Sequence, residues 1–292
     1  MSRSVVSGSG AAAGVASPST GNWASGTFGT GLIRIHGSSQ GTYSFTAPSG
    51  ISAVRVRCWG AGGGGCTTNS NAGGSGGGFS IGEFAVVAGT VYTITVGSGG
   101  VANTAGGTSS FGTLISATGG VGANNVSFRA GGVGAGGYAN HSGGGVQSQY
   151  CGGGGAASLF GHGGAGVANG GTANFGNSYG QPGGGAGGGL GHQATPSSQQ
   201  IAGNIGGLSG GWIKMTDFDG TTTDGIRTYA NVESLDMLAT GVGGVGTPNG
   251  AFGSNGGGGG RSGSGGWPGG GGGNGVAGAF GFGADGCVIV EY

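Results

Sequence analysis

Two short stretches of this chain match Gly-x-Ser-x-Gly, the pattern in which a sharp turn presents a nucleophilic serine. They are "GGSGG" around Ser75 and "GLSGG" around Ser209. Glycine accounts for 89 of the 292 residues, so matches of this kind arise by chance, and neither serine lies between a predicted strand and a helix. The sequence therefore predicts no catalytic serine, and we expect no enzymatic activity.

The sequence also does not support a nucleotide-binding site or a metal site. The Gly-x-Gly-x-x-Gly matches lack the βαβ unit and the acidic residue that dinucleotide binding requires. Asp217 and Asp219 begin like a calcium loop, but its sixth and twelfth positions hold Thr222 and Thr228, where Gly and Glu are expected. The histidines are expected to lie far apart in Gly-rich turns, without a zinc-type spacing; they are His36, His141, His162 and His192. We predict neither a metal nor a cofactor.

Charge is scarce, with eight basic and eight acidic side chains in the whole chain. The Lys and Arg residues are scattered, so they form no patch able to neutralise several phosphates, and a nucleic-acid partner is not expected. No apolar run reaches the 18 residues of a membrane helix, and the N-terminus lacks the apolar stretch of a signal peptide. We expect no membrane insertion, and synthesis in a cytosol without export by the general pathway.

Alternating runs of apolar and polar residues predict β-strands. Collagen is excluded because the glycine period is broken in runs such as "GGGAGGGLG" (183–191), and 12 Phe, 7 Tyr and 4 Trp are too many aromatic rings for a flexible linker. The predicted strands are "GTYSFTAP" (41–48), "AVRVRCW" (53–59), "FSIGEFAVV" (79–87), "TVYTITV" (90–96), "SSFGTLISA" (109–117) and "CVIVEY" (287–292). They indicate an all-β fold with a β-sandwich-like core closed by the C-terminal strand. Cys58 and Cys287 fall in these strands, where reduced, buried thiols are expected.

The Gly-rich segments between the strands need a physical explanation, because ordering glycine costs about 0.5 to 1 kcal/mol more per residue than ordering alanine. Extended glycine segments can take the polyproline-II conformation and hydrogen-bond to neighbouring segments. We therefore predict Gly-rich loops packed as polyglycine-II-like segments, with turns at 69–74, 123–125 and 174–183. Flexible glycine loops are the alternative.

Four of these motifs, in one order, resemble the glycine-rich receptor-binding domain at the tips of bacteriophage tail fibres. They are "YSFTAPSGISAVRVRCWGAGGGG" (43–65), "AGTVYTITVGSGG" (88–100), "GGTSSFGTLISATGG" (106–120) and "GADGCVIVEY" (283–292). The resemblance covers residues 41 to about 200 and 240–292. It implies a virion component, assembled in the host cytoplasm, that contacts the host surface and often forms a homotrimer.

The resemblance leaves two parts of the chain to be interpreted separately. Residues 1–40 precede the motifs, and we interpret them as an attachment and assembly segment that contacts other tail or fibre proteins. Residues 41–292 form the glycine-rich β domain, interrupted at about 203–247 by a stretch that is poor in glycine. Within that stretch, residues 211–241 hold five of the eight acidic side chains. This insert either determines specificity or braces the fold.

The leading functional hypothesis is a non-enzymatic adhesin that binds a host glycan or outer-membrane protein. Aromatic and amide side chains in rigid turns would make the contacts, and trimeric presentation would multiply them. The candidate contact residues are Tyr138, His141, Tyr150, Phe160, Phe175, Tyr179, Trp212, Phe218, Tyr229, Phe252 and Trp267. The alternative is a purely structural virion protein, such as a capsid decoration, baseplate or fibre-collar subunit. An ice-binding protein is a third hypothesis, disfavoured by the irregular spacing of the Gly-rich segments.

Overall fold

The computed structural model of the protein describes residues 32–36, 40–67, 73–123, 129–146, 152–166, 256–259, 263–273 and 280–292. Residues 32–36 are described through their backbone pairing. Several predicted features lie outside these residues: the insert at 203–247, the turn at 174–183, and most of the turns at 69–74 and 123–125.

The described residues form two five-stranded sheets in which every strand pairing is antiparallel. The first sheet has the order β1-β10-β3-β4-β9, and the second has the order β2-β5-β6-β7-β8. The strands are β1 (Leu32–His36), β2 (Gly41–Thr46), β3 (Ala53–Trp59), β4 (Phe79–Ala85), β5 (Val91–Val96), β6 (Ser109–Phe111), β7 (Ile115–Ala117), β8 (Gly134–Ala135), β9 (Ala139–His141) and β10 (Cys287–Glu291).

The main core lies between the two sheets. Side chains alternate along a strand, so each contributing strand buries the side chains of one face in this core. β3 contributes Val54, Val56 and Cys58, all fully buried, as the period of two predicts. The other members of this core that are buried are Phe45, Ala47, Val86, Ile94, Val96, Phe111, Ile115, Ala117, Val288 and Val290. The predicted all-β sandwich is therefore confirmed.

The C-terminal strand β10 lies inside the first sheet, between β1 and β3. It places Val288 opposite Cys58 and Glu291 opposite Arg55. A strand from the end of the chain thus completes the central part of the sheet, as predicted. β1 lies within residues 1–40, so this part of the N-terminal segment is built into the same sheet.

One predicted strand is instead a hairpin. The run "SSFGTLISA" divides into β6 and β7, which pair with each other through Phe111 opposite Ile115. The chain reverses between them at Gly112, whose φ of 53° lies in the left-handed region that favours glycine. The prediction of a single strand was wrong because an internal Gly marked a turn.

The glycine-rich segments beyond the sheets form a regular hydrogen-bonded array, here called the glycine lattice. The N–H groups of residues 60–65 donate to carbonyl oxygens at 2.8 to 3.1 Å, and donors three residues apart reach the same neighbour. Gly60 and Gly63, for example, donate to Gly78 and Ser75. The neighbours that accept from residues 60–65 are segments 73–78, 104–107 and 281–284. The neighbours that donate to the carbonyl groups of residues 60–65 are segments 99–103, 120–123 and 269–273.

A segment that has six neighbouring segments, and that bonds to the same neighbour at every third residue, shows the arrangement expected of packed polyglycine-II helices. Residues 73–78 repeat it, because Gly74 and Gly77 donate to Gly272 and Gly269, while Ser75 donates to Val121. This periodic bonding confirms the prediction of polyglycine-II-like segments, since a flexible loop would leave buried backbone groups without partners.

Interior glycines are required because neighbouring backbones touch. A Cβ on Gly63 would lie 2.6 Å from the carbonyl carbon of Val121, and a Cβ on Gly64 would meet the Val101 carbonyl equally closely. A side chain at either position would therefore push two segments apart.

A second apolar cluster lies on the outer face of the first sheet, where the sheet meets the lattice. Trp59 is 1% exposed, and its ring centroid lies 4.7 Å from that of Phe79. Ala156 and Ala157, from a glycine-rich segment, belong to the same cluster. Trp59 therefore packs between the two kinds of structure, at the last residue of β3.

Candidate functional site

Four of the eleven predicted contact residues fall in the described part of the chain: Tyr138, His141, Phe160 and Trp267. All four lie around the outer face of the first sheet. The other seven, Tyr150, Phe175, Tyr179, Trp212, Phe218, Tyr229 and Phe252, lie outside the described residues. For all eleven, receptor contact remains a prediction.

Tyr138 is presented by a fixed turn that leads into β9. Gly136 has a φ of 88°, and Asn140 holds the turn by donating from Nδ2 to the Gly137 carbonyl at 2.8 Å. Tyr138 is 59% exposed, yet burial raises the pKa of its hydroxyl, while the positive charge of Arg55 partly opposes this. Much of the Tyr138 side chain is therefore accessible on the outer surface.

Beside Tyr138 lies a group of four charged side chains, here called the Arg–Glu cluster: Arg55, Arg57, Glu83 and Glu291. Arg55 on β3 is directly opposite Glu83 on β4 and Glu291 on β10. Arg57 Nη1 donates to Glu291 Oε1 at 3.0 Å, and Arg55 Nη1 lies 3.5 Å from Glu291 Oε2. Burial lowers the pKa of Arg55, and the Glu291 carboxylate opposes that shift. Glu291 thus connects two guanidinium groups across the sheet.

The members of the Arg–Glu cluster differ in what they leave accessible. The Arg57 side chain is 5% exposed and that of Glu291 is 13% exposed, so their ion pair is part of the fold. The Arg55 side chain is 19% exposed, and Glu83 is partly exposed. Glu83 Oε2 is buried and has no hydrogen-bond partner among the described residues. Arg55 and Glu83 therefore each remain accessible in part, although Glu83 Oε2 itself is covered.

His141, His162 and Phe160 form a neighbouring surface. The ring centroids of the two histidines are 5.2 Å apart, and Ser142 N–H donates to His162 Nδ1 at 2.9 Å. Phe160 is 37% exposed at the tip of a tight turn in which Ser158 and Gly161 exchange two hydrogen bonds of 3.1 Å. The expectation that all the histidines lie far apart was wrong for this pair, because β9 and the 158–161 turn lie side by side.

Burial lowers the pKa of His141, and the nearby His162 lowers it further. His141 is therefore neutral at pH 7, in keeping with its stacking 6.4 Å from the ring of Phe79. This surface can offer aromatic faces and the neutral imidazole of His141 to a ligand.

Trp267 contributes to the fold at the margin of this face. Its indole Nε1 donates to the Gly286 carbonyl at 3.2 Å, and its ring packs against the second apolar cluster. The residue is partly buried, so only part of the ring remains accessible.

The described residues provide little support for catalytic or metal chemistry. Ser75 is fully buried in the glycine lattice, where its hydroxyl lies 3.4 Å from the Arg129 carbonyl. Among the described residues, no group of three or more His, Cys, Asp or Glu side chains could hold a metal ion. Cys58, Cys66 and Cys287 are buried, and burial raises the pKa of the Cys58 thiol well above its usual range.

The Arg–Glu cluster was not predicted from the sequence, although a signal was present. Arg55 and Arg57 occupy the polar face of an alternating strand, and Glu291 occupies the corresponding face of the last strand. Their meeting depends on β10 lying next to β3, and Arg57 and Glu291 are 234 residues apart in the chain.

The fold and this surface define an all-β, glycine-rich scaffold with a polar and aromatic outer face. A family model described as a glycine-rich domain matches residues 37–292, so the chain belongs to that family. A search of curated proteins found no match. In the part of the chain that the structure describes, no helix has the length and apolar character needed to span a membrane.

Proposed function

We propose that the protein is a non-enzymatic virion component, a tail fibre or fibre-tip adhesin, that binds a host cell-surface receptor during adsorption. The observation that carries the proposal is the glycine lattice. Interior segments such as 60–65 have backbone neighbours on all sides, and their glycine positions have no room for a Cβ. Sequence variation that changes recognition must therefore act at turns and outer surfaces.

Such a scaffold suits recognition because it lowers the entropy lost on binding. The segments are held by backbone hydrogen bonds, so the turns that connect them are presented in nearly fixed positions. Tyr138 and Phe160, both predicted contact residues, are exposed on tight turns beside the first sheet. A glycan or the loops of an outer-membrane protein are the receptors that this proposal includes.

The proposal extends to assembly. The part of residues 1–40 outside β1 would attach the chain to other tail or fibre proteins, and a homotrimer would present three copies to a repetitive cell surface. Linked weak contacts can raise overall avidity by about 10²- to 10⁴-fold. The finished protein would then be located on the virion surface.

A competition experiment tests the proposal against a purely structural virion role. The purified full chain, added in excess, should slow adsorption of the phage that carries it, because both compete for one receptor. Heat-denatured protein is the control and should leave adsorption unchanged. An unchanged adsorption rate at saturating folded protein would contradict the adhesin and favour a decoration or collar subunit.

The same assay predicts a weak dependence on salt. With eight basic and eight acidic residues the chain carries no net charge, so screening has little long-range attraction to remove. Adsorption inhibition should change by less than about threefold between low and moderate ionic strength. A loss of about tenfold or more would show that receptor binding depends on charge attraction.

A further inference from the structure

We infer that the exposed side of the Arg–Glu cluster, together with Tyr138, binds an uncharged, hydroxyl-rich saccharide. As a statement about the receptor, this inference rests on the proposed function. As a statement about binding, it rests on the geometry of Arg55, Glu83 and Tyr138.

The balance of charge favours an uncharged ligand. Two guanidinium groups and two carboxylates lie within one patch of neighbouring strands, so their formal charges cancel. An anionic ligand that bound Arg55 would be repelled by Glu83, and a cationic ligand that bound Glu83 would be repelled by Arg55. A sugar hydroxyl avoids this conflict because it both donates and accepts hydrogen bonds.

The cluster offers both kinds of partner on a rigid base. The guanidinium of Arg55 supplies donors, and the carboxylate of Glu83, a partly exposed residue, supplies an acceptor. The 3.0 Å contact between Arg57 and Glu291 fixes the strands beneath them. Little side-chain entropy then has to be lost on binding, which is how a shallow site gains affinity.

Tyr138 adds an aromatic face at the edge of the cluster. Its turn packs closely on β4, since a Cβ on Gly137 would collide with the Ile81 carbonyl, and Asn140 bonds to both the N–H and the carbonyl of Gly137. The exposed ring can cover the apolar C–H face of a sugar while its neighbours bond the hydroxyls. Aromatic surface next to convergent polar groups is the usual composition of a small-ligand site.

Saturation-transfer NMR on the full chain tests the site, with glucose, galactose, mannose and N-acetylglucosamine as probes at about 10 mM, since a dissociation constant near 1 mM is only about −4 kcal/mol. At least one sugar should bind. Tyr138→Ala and Glu83→Gln should each weaken that binding by about tenfold or more, whereas Tyr138→Phe should stay within about threefold because the ring is retained. Thr93→Ala, on the exposed face of the second sheet, is the matched control and should bind normally.

The outcomes separate this inference from the proposed function. If no sugar binds, or if Tyr138→Ala binds as well as the unmodified chain, the saccharide site is refuted, even where the chain still blocks adsorption. Tighter binding of the charged analogues glucosamine or glucuronic acid would also refute it. If sugars bind as described but adsorption is unaffected, the site is supported and the adhesin role fails.

Discussion

Trp59→Ala is expected to lower the free energy of unfolding by about 3 kcal/mol, which is within the range for removing a buried tryptophan. The ring is 1% exposed and packs on Phe79 and on Ala156 and Ala157, so its loss leaves a cavity where the sheet meets the glycine lattice. Chemical denaturation followed by circular dichroism measures the change.

Trp59→Phe is the matched variant. Trp59 Nε1 is buried and has no hydrogen-bond partner in the described part of the chain, so phenylalanine removes an unsatisfied donor while it keeps an aromatic ring in the cluster. Its cost should be no more than about 1 kcal/mol. If Trp59→Ala left stability unchanged, Trp59 would not join the two structures, and this account of the junction would be wrong.

Gly63→Ala is expected to cost about 3 kcal/mol or more, because overpacking against backbone cannot be relieved by a rotamer change. Its Cβ would lie 2.6 Å from the Val121 carbonyl carbon. In a solvent-exposed loop the same substitution would stabilise the protein by about 0.4 to 1 kcal/mol through the unfolded state. Even the sign of the effect therefore distinguishes a close-packed lattice from flexible loops.

Val121→Ala is the control for this prediction, since it changes the other partner of the same contact. The Val121 side chain is 40% exposed, so shortening it leaves the backbone contact intact and should cost less than about 1 kcal/mol. Thermal unfolding of the two variants should separate them by several degrees. Equal melting temperatures would contradict the close packing of segments 60–65 and 118–121.

Five strands, β2 to β5 and β10, were predictable from the sequence because their signal is local, whereas β1 was not predicted. In β3 the alternation of Val54, Val56 and Cys58 with charged residues determines which face is buried, and the structure agrees. The hairpin of β6 and β7 was missed because Gly112 lies inside a run that otherwise has strand character. The short strands β8 and β9 contain only two and three residues, too few for a period to be detected.

The glycine lattice was predictable as a class of structure but not as a set of neighbours. A segment such as 60–65 resembles many other Gly-rich runs, and only the three-dimensional arrangement pairs it with residues 281–284. The Arg–Glu cluster could not be predicted for the same reason, because its prediction needs the position of β10 in the sheet. Local patterns identify elements, whereas contacts between distant elements depend on packing.

The candidate surface was predicted in part. Exposed aromatics were expected, and Tyr138 and Phe160 are exposed on turns. The closeness of His141 and His162, and that of Tyr138 to Arg55 and Glu83, could not be read from spacing along the chain.

Amide hydrogen exchange tests most directly the central claim that the glycine-rich segments form an ordered lattice. The N–H groups of residues 60–65 and 74–78 donate to carbonyls of other segments, so they should exchange only through large-scale unfolding, as slowly as the amides of β3 and β10 to within about tenfold. NMR after transfer to deuterated water would measure the rates residue by residue. Exchange of these glycine amides at the rates of an unstructured peptide, while β3 and β10 remain protected, would contradict the lattice.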